Sequence, residues 1–158
     1  MKIKISYFYK VRFFKPNEIP LSTAISDPKW YHDNKSQEYS FKDKRGVVNG
    51  LRAPVFAPGP LTQGTCSGRE KCSGIPEKCR FLQLYYFQLK ALDFSEIMRR
   101  FERLGNAVKE GEGFEGEPTI VLLVHEAPDN PCSERSVLIK WFKENNYELK
   151  EYDENVSD

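Results

Sequence analysis

Thr119 to Asn146 reads TIVLLVHEAPDNPCSERSVLIKWFKENN, and its pattern decides the fold. Ile120 to Val124 is an unbroken apolar run rich in β-branched residues. Such a run suits a strand covered on both faces, as in a parallel sheet. His125 and Glu126 follow at its carboxyl end. Pro128, Asp129, Asn130 and Pro131 then break the strand. Asn130 suits a helix N-cap and Pro131 a first helical position, which puts Cys132 at the start of a helix. Val137, Leu138, Trp141 and Phe142 repeat at helical spacing and form a stripe to lay on the sheet. Ligands of open α/β sheets sit beyond the carboxyl ends of the strands, and a helix N-terminus there favours anions.

The turn therefore holds the first candidate site. Helix position and nearby cations lower a thiol pKa, so Cys132 is expected as a reactive thiolate. Arg135, one turn on, is expected to grip a phosphate or carboxylate by a two-pronged contact. His125 and Glu126 have the chemistry of a base and an orienting acid. Ser133 and Glu134 complete the expected ligand contacts. The plainer alternative is a small buried cysteine, a surface arginine and a hydrogen-bonded histidine.

Working outward, Ile3, Ile5, Tyr7 and Tyr9 alternate with Lys2, Lys4, Ser6 and Phe8, which predicts a first strand to about Tyr9. Pro20 to Ala24 predicts a short second strand, with Ser22 at its end as a pocket hydroxyl. Trp30 and Tyr31 are expected to form a platform that stacks a planar ligand; aromatics in such a loop also close core edges. From Arg80 the pattern is helical, with Leu82, Tyr85, Leu89 and Leu92 on one face. Asp93 and Glu96 have the form of a capping box, so a further helix starts at Phe94 and buries Ile97, Phe101, Leu104 and Val108. Glu110 to Pro118 is expected as a flexible acidic loop. Tyr147, Leu149 and Tyr152 predict a last short strand, followed by a frayed tail at 153–158.

Residues 33–80 are the least regular part and are expected as an insertion. Within it, Cys66, Cys72 and Cys79 are separated by five and six residues in a glycine-rich segment. Three thiols there suggest a metal clip, zinc ahead of an iron–sulfur cluster, that folds a loop with little apolar surface. The spacing is not that of the tight C-x-x-C pairs of common zinc sites. His32, His125 or Cys132 are candidates for a fourth ligand, and three unrelated thiols are the alternative.

The 158 residues suit a single domain with a real core. Charged residues make up 30% and aromatics 13%, a globular composition rather than a disordered one. A net charge of +1 argues neither for nor against nucleic acid. No early apolar run has the length of a signal peptide or membrane span, so a reducing cytoplasm is expected, with cysteines free or metal-bound rather than bridged. Together these features predict a small three-layer, Rossmann-like α/β domain spanning 1–158. Its mostly parallel sheet has about four strands with about three helices. No G-x-G-x-x-G follows a strand, so the dinucleotide fingerprint is not met.

Several segments taken in order resemble the domain-of-unknown-function 488 family, in particular its short subclade. They are Ser6-Tyr7-Phe8, Pro20-Leu21-Ser22, Pro28-Lys29-Trp30-Tyr31, Tyr85 with Leu89, His125-Glu126-Ala127-Pro128 and Cys132-Ser133-Glu134-Arg135. The likeness covers nearly the whole chain outside Asp33 to Lys78. The family's Cys-His-Arg is Cys-Ser-Glu-Arg here, one residue longer, so that Glu134 stands where the histidine would when the arginines are aligned. Val124 occupies a position where a cysteine is often found. The resemblance implies the fold and the site rather than a reaction. The function expected first is an enzyme acting on a phosphate-bearing substrate such as a nucleotide or nucleic acid. The alternatives are a nucleotide- or partner-binding module with a structural metal clip, and a thiol redox or sulfur-transfer protein.

Overall fold

The computed structural model describes residues 1–32, 50–66 and 75–156. Four strands form one all-parallel sheet: β1 (Lys2–Tyr7), β2 (Glu18–Ser22), β3 (Thr119–Val124) and β4 (Lys150–Glu151), in the order β2-β3-β1-β4. The register runs from Lys2 opposite Thr119 to Tyr7 opposite Val124, and from Glu18 opposite Thr119 to Ser22 opposite Leu123. The expected α/β architecture holds. Every residue of β3 is buried, because its two faces feed two cores. Ile120, Leu122 and Val124 join the larger core, while Val121 and Leu123 join the smaller one. Pro20 is tolerated in β2 because that strand lies at the edge of the sheet.

The larger core is roofed by α2 (Arg80–Lys90), α3 (Phe94–Glu112) and α4 (Arg135–Glu144), with the short α1 (Lys29–His32) elsewhere. Asp93 caps α3 by accepting from the Glu96 amide, 3.2 Å. Only half of the capping box forms, because the Glu96 carboxylate turns to Arg99 and Arg100 instead. The helix runs on to Glu112, into the stretch expected as loop, and stops where Gly113 takes a left-handed φ of 69°. Gly105 sits where a Cβ would come within 3.2 Å of the Pro118 ring, so a side chain there would have to push the proline back by a few tenths of an ångström.

The smaller core lies on the other face. It is closed by the 3-10 segment Phe8–Phe13, which begins where the first strand was expected to continue. Phe8, Val11 and Phe14 pack there with Val121, Leu123, Tyr31 and Tyr152. The C-terminal tail is tied down through Glu154, whose carboxylate accepts from Lys10 Nζ at 2.8 Å.

Part of the expected insertion belongs to the main fold. Arg52 bridges to Ser22 at the edge of β2, and Phe56 is fully buried among Phe101, Trp141 and Phe142. The Tyr85 hydroxyl donates to the Phe56 carbonyl at 2.6 Å, with both residues fully buried. Tyr85→Phe strands that carbonyl and is expected to cost about 1–3 kcal/mol. A lowered urea midpoint with an unchanged m-value checks this.

Candidate functional site at the carboxyl edge of the sheet

The polypeptide leaves β3 toward the larger core, through α4, but leaves β1 and β2 toward the smaller one. Where neighbouring connections part to opposite faces, an open α/β sheet forms its ligand crevice. A pocket of about 160 Å³ lies there between the ends of β2 and β3, lined by Thr23, Ala24, Ile25, Ser26, Val124, His125 and Glu134.

Ser22 is buried and locked in place. Its hydroxyl donates to the Asp27 carboxylate and accepts from the Ala24 amide at 3.2 Å. It shapes the loop rather than facing a ligand. Arg52 closes that loop, pairing with Asp27 at 3.2 Å and donating to the carbonyls of Ala24 and Ile25. Thr23 donates to the Leu123 carbonyl at 2.8 Å and fastens the end of β2 to β3. The expected Trp30–Tyr31 platform divides. Tyr31 is fully buried with its hydroxyl donating to the Leu51 carbonyl, and burial pushes its pKa up. Trp30 is 48% exposed and stands edge-on to Phe8 at 6.4 Å.

Beyond β3, exposed His125 leans on the Phe8 ring at 4.9 Å, and its Nε2 lies 2.6 Å from the Ser26 carbonyl. With the proton on Nε2, that nitrogen donates and Nδ1 is left as an acceptor. The Asn130 side chain accepts from the Cys132 amide at 2.9 Å, a local turn rather than a helix cap. The helix starts later, at Arg135, and Ser133 satisfies its first amide by accepting from Arg135 N at 3.1 Å. Cys132 thus precedes α4 instead of sitting in its first turn, because the proline-rich turn is closed by Asn130 and the helix by Ser133.

Two further corrections concern the thiol and the guanidinium. Cys132 is half of a disulfide, so it offers no thiolate and departs from the expectation of unbridged cysteines. Cys66 and Cys79 are free. Cys72 lies outside the described residues, and among the described residues no group of three metal-binding side chains converges. Arg135 is buried, and its grip is spent inward. Its Nε donates to the Glu151 carboxylate and its Nη1 to the Glu126 carbonyl at 2.8 Å, with Tyr7 6.0 Å below. It braces the turn against β4. Its Nη2, however, is buried without a partner, and so is Oε2 of Glu126.

Glu134 is the most perturbed acid of the site. Desolvation, reinforced by the charge of Glu126, pushes its pKa up to about 7. At neutral pH this carboxyl still holds a proton for a fraction of the time, on the wall of the pocket. The structure thus brings together Glu126, Glu134 and His125. It puts Ser133, Arg135 and Tyr31 into structural roles and leaves Trp30 half-exposed, outside the pocket's lining. Asp27, Arg52 and Glu151 were not expected at this edge. Their partners lie far away in the chain, and no local pattern announces such pairs.

No family model, curated protein or solved structure matches this chain. No helix among the described residues is long and apolar enough to cross a membrane.

Proposed function

We propose that this protein is an enzyme acting on a phosphate-bearing substrate such as a nucleotide or nucleic acid. It moves a proton between substrate and two glutamates, Glu134 as acid and Glu126 as base. One observation carries this reading: Glu134 and His125 line a pocket at the carboxyl edge of a parallel sheet, within electrostatic reach of Glu126. Two carboxyls whose surroundings differ are a recurrent solution to acid–base chemistry near neutrality. The raised pKa of Glu134 suits the acid, and the buried, unpartnered Oε2 of Glu126 suits the base. Arg52 and Arg135 are engaged by Asp27 and Glu151. The pocket therefore suits the uncharged part of the substrate, with a phosphate projecting toward solvent.

The test is incubation with a mixture of nucleotides, nucleosides and short oligonucleotides, followed by mass spectrometry. At least one component is expected to be consumed, with Glu134→Gln slower by about 100-fold or more. The rate should fall as pH rises through about 7, where Glu134 loses its proton. Binding without any product would leave only a binding module. Equal turnover by Glu134→Gln would remove that residue as the acid.

A further inference from the structure

We propose that the free edge of β4 is the seam of a two-fold dimer, in which residues 147–151 of one copy pair antiparallel with the same residues of a second copy. β4 lies at the opposite side of the sheet from the pocket between β2 and β3, so nothing in this pairing depends on the chemistry at Glu134.

The order β2-β3-β1-β4 leaves the sheet with two edges, and the chain treats them differently. The outer edge of β2 is covered. The Ser22 amide donates to the Leu51 carbonyl at 2.9 Å, and the Ala53 amide donates to the Ser22 carbonyl at 2.8 Å. Pro20, at the alternate position of the same strand, brings no amide hydrogen to that edge. On β4, Lys150 opposes Lys4, and the Tyr152 amide donates to the Ile5 carbonyl at 2.8 Å. The backbone groups of Lys150 and Tyr152 therefore turn toward β1. Those of Leu149 and Glu151 turn outward, and among the described residues no backbone group meets them. A bare strand edge is a template for another strand. This one opens into a groove of about 660 Å³, walled by residues 146–151 and by Ile139 and Lys143 of α4. The chain after β4 turns away from the groove, with Tyr152 in the smaller core and Glu154 held by Lys10.

Charge says which strand fits. Glu148 and Lys150 flank the buried Leu149; both are exposed, and among the described residues neither forms an ion pair. Within the sheet Lys150 has only the like-charged Lys4 opposite it. Antiparallel pairing centred on Leu149 sets Glu148 of each copy against Lys150 of the other. Leu149 then meets its own counterpart through reciprocal backbone hydrogen bonds, so the Glu148–Lys150 pairs fall at the positions where facing side chains come closest. Shifting the centre to Lys150 would set two lysines against each other and lose both pairs. The ladder ends at Tyr147, whose amide is already given to the Phe142 carbonyl at 2.9 Å. A two-fold contact of this kind consumes the free edge of each copy and closes at a dimer.

The experiment is sedimentation velocity on the full chain over a concentration series, with the fold of each variant checked by circular dichroism. The wild-type chain is expected to dimerise. Glu148→Lys leaves lysine at both positions and Lys150→Glu leaves glutamate at both, so each variant alone should dissociate, with Kd raised about tenfold or more. Mixing the two variants should restore a dimer of one copy each, because lysines then face glutamates. If a charge reversal disturbs the fold, Glu148→Gln with Lys150→Gln takes its place and should also raise Kd. A wild-type chain that stays monomeric throughout the series would overturn the proposal. So would variants that associate as tightly as the wild type, or a mixture no more associated than its two components.

Discussion

Arg135→Ala is expected to unfold about 6–12 °C earlier than the wild-type chain. Removing one partner of a buried ion pair costs about 3–5 kcal/mol, and the lower end applies because Glu151 is 34% exposed. In a domain of this size each kcal/mol moves Tm by about 2–4 °C. The cause is specific. Without the guanidinium, the Glu151 carboxylate and the Glu126 carbonyl lose their donor, and burial already works against Glu151's charge. Replacing both partners separates this from a general packing loss. Arg135→Met with Glu151→Gln leaves no uncompensated charge and should recover most of the lost stability. A surface arginine kept for a ligand gives the opposite pattern, with Tm unmoved by Arg135→Ala. Thermal unfolding followed by circular dichroism decides.

The second large effect has the other sign: Glu134→Gln should stabilise the protein at alkaline pH. The unfolded carboxyl ionises near 4.5 and the folded one near 7. Below the lower value both states are protonated and the substitution is silent. Between the two, the unfolded chain gives up its proton first, so the wild-type protein loses stability as pH rises. Above about 7 both states are ionised and the loss is complete. A shift of this size corresponds to about 3 kcal/mol at most, less what solvent at the half-buried group screens. Urea titrations at a pH well below the unfolded value and at an alkaline pH should therefore show matching midpoints at the first and a higher midpoint for Glu134→Gln at the second. Matching midpoints at both would mean that Glu134 is an ordinary solvated acid.

The architecture was legible because it rests on local periodicity. The apolar run Ile120 to Val124, the stripe through Val137, Leu138, Trp141 and Phe142, and the cap at Asp93 each carry their signal within a few residues. The site was legible at its address and less so in its chemistry. Asn130 and Pro131 make a convincing helix start by composition, yet Ser133 competes for the same role and wins. Nothing near Arg135 in the sequence points to Glu151, and nothing near Ser22 points to Arg52. Those pairings arise only once β4 and the segment after residue 50 fold onto the sheet edge. Phe56 shows the same limit from the core side. Its proline- and glycine-rich surroundings look like loop, while the ring fills the centre of an aromatic cluster.

β1 and β2 follow one another in the chain but never pair; each takes β3 as its neighbour. During synthesis the first two strands therefore leave the ribosome without the strand that joins them in the sheet until residue 119 and beyond has been added. The emerging chain carries unpaired strand edges for the whole interval between β2 and β3, a state that invites aggregation until β3 pairs with both early strands. Nascent chains stalled before Thr119 would be protease-sensitive at both early strands, and release of one short stretch would protect them together.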